Sequence, residues 1–118
     1  METTNDIKIL KHYWKTPSEI FEVGEIGVDF EPDCRVESGA DETIASATFQ
    51  IFIFEDSGTE TTDTMTSGAV DITGLKVSRK VIGGTAGTDY IVRVKATKSG
   101  GGVVDGFLAL YVRMPDYT

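Results

Sequence analysis

Covalent or phosphate chemistry in this chain would have to begin with one cysteine, one histidine and a glycine cluster. A nucleophilic Cys34 needs a base to take its proton, and His12 is the single imidazole available. The competing reading is a structural thiol, and one cysteine forms no disulfide within the chain. The glycines stand in VIGGTAGTDYIVRV, residues 81–94. A phosphate-binding loop requires Lys and Ser/Thr directly after its last glycine, then a helix whose amides face the anion. Here Gly87 is followed by Thr88, Asp89 and Tyr90 and then by an alternating apolar run, and Asp89 would repel a phosphate. The glycines therefore read as a turn. Oxygen ligands for calcium occur as Asp56, Glu60 and Asp63, or as Asp33, Glu37 and Asp41. Neither run has the glycine and terminal glutamate of an EF-hand loop, so both read as solvated acids. With no His/Asp/Ser set and no pair of carboxylates suited to acid–base work, the expectation is a protein without catalysis, cofactor or metal.

A different kind of chemistry, that of an interface, is offered near the start. Ile9, Leu10, Tyr13 and Trp14 alternate with Lys8, Lys11 and Lys15. Aromatic anchors flanked by cations suit contact with an acidic neighbour. The same residues also suit an extra strand or flap covering the domain. Residues 55–64, EDSGTETTDT, carry four acids and no base, and on a second copy of the chain they are one candidate counter-surface, in a head-to-tail contact that closes into a homo-oligomeric ring. Nineteen acids against eleven bases give a net charge of −8, which disfavours the nucleic-acid backbone as a partner. No apolar run approaches the roughly 18 residues of a membrane span. The first residues lack the charge order of a signal peptide, so synthesis in a cytoplasm is the expectation.

The elements that must hold these residues follow from periodicity. A chain of 118 residues suits one domain with one core. Residues 1–23 read as an N-terminal arm, with TPSE at 16–19 shaped for a short helical turn: Thr16 as cap, Pro17 at the first position and Glu19 for a capping box. From residue 24 the period is two. In TIASATFQIFIF (43–54), Ala45, Ala47, Phe49, Ile51 and Ile53 share a face, and the length predicts a bend or bulge. AVDITGL (69–75) and KVSRKVI (76–82) are further strands, with Leu75, Val77 and Val81 inward and Arg79 unexplained. YIVRVKAT (90–97) alternates most cleanly, KSGGG (98–102) is a hairpin turn, and VVDGFLALYVRM (103–114) closes the domain, leaving 115–118 as a tail. Phe52, Phe54, Phe107 and Tyr111 fall on the faces opposite the inward residues, so either another part of the chain covers them, for which 57–74 is available, or a patch is left for a partner. The pattern predicts an all-β antiparallel sandwich over 24–114.

Tyr90 sharpens the prediction. It stands where the tyrosine corner of immunoglobulin-like sandwiches places a tyrosine at the start of the penultimate strand, with Gly83, Gly84 and Gly87 forming the corner before it. AGTDYIVRVKATKSGGG resembles the matching strand and hairpin of fibronectin type III domains. A wider resemblance joins KTPSE (15–19), VDF (28–30), DETIASATFQI (41–51) and GGTAGTDYIVRVKAT (83–97), which occur in this order in small phage and prophage fibre–tail adaptor or tail/neck-associated proteins with an immunoglobulin-like fold. The chain departs from their pattern at Asp41, where glycine is usual, and in a longer, more acidic 55–74. The resemblance implies a non-catalytic structural component of a virion that meets other virion proteins and a second copy of itself. The alternative is a ligand-binding or adhesive module that binds carbohydrate, with Trp14 and Tyr117 as its aromatic platform.

Overall fold

The computed structural model describes residues 8–35, 42–54 and 59–114. Seven strands among them make two sheets packed face to face: β1 (Ile9–Lys15), β2 (Gly27–Asp29), β3 (Ile44–Ile53), β4 (Thr66–Thr73), β5 (Lys76–Val81), β6 (Asp89–Lys98) and β7 (Val103–Val112). Two single-turn helices, α1 (Glu31–Cys34) and α2 (Thr62–Met65), interrupt the pleated chain. One sheet runs in the order β1-β7-β6-β3 and the other in the order β2-β5-β4. All pairings are antiparallel except that of β1 with β7, which is parallel.

The core is the inward half of each alternation. From the larger sheet come Phe49, Ile51, Tyr90, Val92, Val94, Leu108, Leu110 and Val112; Val28, Val77 and Val81 face them from the smaller one. Met65 of α2 and Cys34 of α1 are buried with them. Along β6 the observed burial follows the sequence alternation from Val92 to Ala96, Ile91 being buried as well as its neighbours Tyr90 and Val92, and the β6–β7 hairpin turns through residues 99–102. β3 departs from it at one end. A register shift between Ile44 and Ser46 changes the phase, so Ile44 packs against the core and Ala45 is exposed. β4 begins at Thr66 instead of residue 69, and its own irregularity lies between Ser67 and Asp71. Arg79 belongs to that irregularity: its Nε donates to the Gly68 carbonyl at 2.8 Å. A carbonyl left without a ladder partner by the bulge is satisfied by a side chain from the neighbouring strand.

Residues Ile9–Lys15, placed by the sequence in an N-terminal arm that reads as either a docking segment or an extra strand, are the edge strand of the larger sheet. A register shift between Ile9 and Lys11 breaks the alternation that would have marked them as a strand. After β1, TPSE makes one hydrogen-bonded turn: the Glu19 N–H donates to the Thr16 carbonyl and Glu19 Oε1 accepts from the Thr16 N–H at 2.9 Å. The chain then rejoins the smaller sheet through a bridge between Phe21 and Val81.

Three amides of the glycine corner are bonded within the chain. Gly83, Gly84 and Gly87 have φ of 65°, 99° and 88°, in the region that favours glycine. The Thr85 N–H donates to the Tyr90 hydroxyl at 2.9 Å, the Gly87 N–H to the Val112 carbonyl at 2.7 Å and the Thr88 N–H to the Thr85 carbonyl. Amides so engaged do not form an anion-binding nest. Tyr90→Phe is expected to destabilise the chain by about 1–2 kcal/mol, the cost of leaving a partly buried N–H without its acceptor. Urea denaturation reads this as a lower midpoint at unchanged slope. A midpoint equal to that of the parent would show that the hydroxyl contributes nothing to holding the corner.

Candidate protein-interaction face

Alternation in a sheet leaves a second face behind the core. On the larger sheet that outward face carries Phe52 from β3, Ile91 from β6, Phe107, Ala109 and Tyr111 from β7, and His12 and Trp14 from β1. Ile91 and Ala109 at its centre are buried, while Phe52, Phe107 and Tyr111 around them are half-buried. Trp14 is 63% exposed. The register sets Trp14 beside Tyr111 and His12 beside Ala109. The Trp14 and Tyr111 rings lie 4.9 Å apart between centroids, and those of His12 and Tyr111 stack at 5.7 Å. His12 Nδ1 and the Tyr111 hydroxyl share a hydrogen bond of 2.7 Å. An aromatic pair in offset contact is worth about 0.5–1.5 kcal/mol beyond its burial, so the cluster is preorganised as well as apolar.

Charges at the margin of this face are largely neutralised. Arg93 pairs with Asp105 at 3.2 Å and lies over the Phe107 ring; Arg113 pairs with Asp89 at 2.6 Å and lies over Tyr111. The result is an aromatic centre with a polar, self-paired border, the anatomy of a protein contact surface.

The cover expected from 57–74 is not supplied by its described part. Residues 59–61 run along the edge of β3, with Glu60 bridging to Phe52, the Ile53 N–H donating to the Thr59 carbonyl and the Thr61 N–H to the Ile51 carbonyl. α2 then places Met65 in the core and β4 joins the opposite sheet. The path is edge to core to far sheet because Thr62 Oγ1 accepts from the Ile51 N–H at 2.9 Å and pins the chain at the strand margin. Residues 55–58 lie outside the described residues.

The seven interface candidates read from the sequence separate into distinct environments. Trp14 is on the outward face, Ile9 is half-buried opposite Phe107, and Tyr13 packs on the core. Leu10 is 52% exposed, and its tip lies over Gly106 beside Val28 at the lateral opening between the sheets. Lys8 and Lys11 are exposed, Lys11 over the Tyr13 ring. Lys15 is not on a surface: it is buried, and its Nζ donates to the Thr16 carbonyl at 2.7 Å and the Gly83 carbonyl at 2.6 Å. Burial pulls its pKa below the usual lysine value, with Glu19 acting weakly in the opposite direction. Tyr111 is legible in the sequence as one of the aromatics on the second face of the last strand, whereas His12 as its stacking partner is not.

The candidate chemical groups are not brought together. Cys34 is inside the core, whereas His12 is exposed on the outward face and bonded to Tyr111. Among the described residues no three His, Cys, Asp or Glu side chains are placed to hold a metal, and no helix is long and apolar enough to cross a membrane. Glu37, Asp41, Asp56 and Tyr117 lie outside the described residues. No protein-family model matches the chain, and no curated protein matches it either.

Proposed function

We propose that this chain is an immunoglobulin-like sandwich acting as a non-catalytic structural component of a phage or prophage particle, a tail, neck or fibre adaptor working through protein–protein contacts. The strand order supports the fold: β2-β5-β4 opposite β7-β6-β3 repeats the B-E-D and G-F-C arrangement of immunoglobulin sandwiches. The Tyr90 hydroxyl, bonded to the backbone five residues upstream, adds to it. The observation carrying the function is the outward face around Trp14 and Tyr111, aromatic, with Tyr111 stacked on His12 and in tilted contact with Trp14, and bordered by paired charges. The virion setting rests on the resemblance of residues 15–19, 28–30, 41–51 and 83–97 to fibre–tail adaptor proteins. A small rigid sandwich of this kind contributes shape and surface, and its partners would be other virion proteins.

The test is incorporation. Particles purified after inducing the prophage of the source strain are expected to contain the chain by mass spectrometry. A strain carrying Trp14→Ala together with Tyr111→Ala is expected to lose at least about tenfold of that signal, since central aromatic anchors commonly contribute 2 kcal/mol or more. Particles that lack the chain overturn the virion reading. The exposed Trp14 also favours a second reading, a carbohydrate-binding module whose platform stacks on sugar rings. A glycan-array response by the monomer that disappears with Trp14→Ala would select it.

A further inference from the structure

The lateral opening of the sandwich carries both signs of charge side by side. On one flank is β1, with Lys8, Lys11 and the half-exposed Leu10. On the other is the connection into β2, where Glu22 and Glu25 are exposed together with Ile20, 51% exposed, and Val23, 48% exposed. Glu22 lies 3.8 Å from Lys80 within the chain, and Lys76 Nζ donates to the Gly24 carbonyl, so Glu25 is the carboxylate of this pair without an ion-pair partner among the described residues. The two flanks lie on one edge of the molecule: Leu10 and Val28 of β2 both lie against Gly106, while Phe21 bridges Val81 and the Gly24 N–H donates to Ser78 Oγ. β1 is also the outermost strand of its sheet, bonded to β7 on one side. Its outer margin bears no proline, and three large apolar side chains sit exposed along this single edge. Such an edge ordinarily pairs or is guarded.

We infer that this edge binds a second copy of the chain across a two-fold axis, the Lys8/Lys11 flank of each copy lying against the Glu22/Glu25 flank of the other. A patch holding a basic and an acidic half complements itself under a two-fold rotation, because each contact of one residue with another is repeated in reverse. Leu10, Ile20 and Val23 supply the apolar centre such a contact needs, and the charges fix its register and speed its encounter. The partner is a second copy, not an unrelated acidic protein, because the chain itself carries the matching acids beside the matching apolar residues. This edge is separate from the outward face of Trp14, so the pairing leaves that face open for other partners.

Light scattering behind size exclusion on the full chain tests it, with two charge-reversed variants: Lys8→Glu with Lys11→Glu, and Glu22→Lys with Glu25→Lys. The parent is expected at twice the monomer mass at low salt, with its dissociation constant weakening about tenfold or more in 0.5 M salt. Each variant alone is expected as a monomer with a near-parental melting temperature, since exposed ion pairs such as Glu22–Lys80 add little stability. An equimolar mixture of the two variants is expected to recover a one-to-one dimer, because each flank again meets its opposite. A parent that stays monomeric at high concentration, or a dimer retained by both variants, overturns the inference. A mixture that remains monomeric does so too. Trp14→Ala is expected to leave the dimer intact, so loss of particle incorporation and loss of pairing are separate results.

Discussion

Gly27→Ala is expected to destabilise the fold by roughly 3–5 kcal/mol, a large share of the 5–15 kcal/mol typical of a single domain. Gly27 pairs with Ser78 where the three-residue strand β2 meets β5. A Cβ at this position would meet the Val77 carbonyl oxygen, and would lie 2.8 Å from Ser78 Cβ and 3.0 Å from Ser78 Cα. Most of that obstruction is main chain, and β5 has no room to retreat because β2 and β4 flank it. Overpacking against a flexible side chain costs about 1–3 kcal/mol. Here the relief available is for β2 to lift away, taking Ile26, Val28 and Phe30 out of the core, all buried in the native fold. Urea denaturation followed by tryptophan fluorescence and circular dichroism checks this. A variant within 1 kcal/mol of the parent would show that β2 does not approach β5 this closely. Gly27 has no unusual φ and no turn around it in the sequence, so its role is visible only once the facing strand is in place.

That contrast defines what the sequence discloses. β6 is legible because its alternation is local: Tyr90, Val92, Val94 and Ala96 face one way whatever lies opposite. The 98–102 hairpin is legible because its glycines and its hydrogen bonds fall within five residues. β1 is legible only as one of two readings, and its place in the sheet is not, because its partner is the last strand and the pairing is parallel, so no turn joins them and a bulge disturbs its period. β3 is legible in type but shifted in phase at Ile44 by its own bulge. The aromatic face was half visible: Phe52, Phe107 and Tyr111 are plainly two-sided, but that Trp14 joins them depends on a register spanning nearly the whole chain. Lysine at position 15 reads as solvent-facing by residue type, and one of its two acceptors is a carbonyl 68 residues away.

Lys15→Ala is accordingly expected to cost about 2–4 kcal/mol, because removing a charged donor leaves a part-buried carbonyl unsatisfied and forfeits the packing of its stem. The ammonium fastens the end of β1 to the glycine corner through Gly83, while the Lys15 carbonyl accepts from the Arg113 N–H on the other side. Loss of the side chain therefore loosens the strand that carries Trp14 at its outer face. Lys15→Met keeps the stem and removes the donor, and it isolates the charge. Burial lowers the lysine pKa in the folded chain below the usual 10.5, so the folded form releases this proton before the unfolded form does. Below the folded pKa the wild type carries the full cost of a desolvated charge. As pH rises from the folded pKa toward 10.5 the unfolded chain holds more protons, and stability grows. The methionine variant has no such group, so the stability of the wild type relative to Lys15→Met is expected to rise across that window, other titrating residues cancelling between the two. Urea midpoints measured in parallel from neutral pH to pH 10.5 decide the matter. Two curves that stay parallel would mean that the Lys15 pKa is not lowered on folding, its hydrogen bonds to the Thr16 and Gly83 carbonyls offsetting the lost solvation.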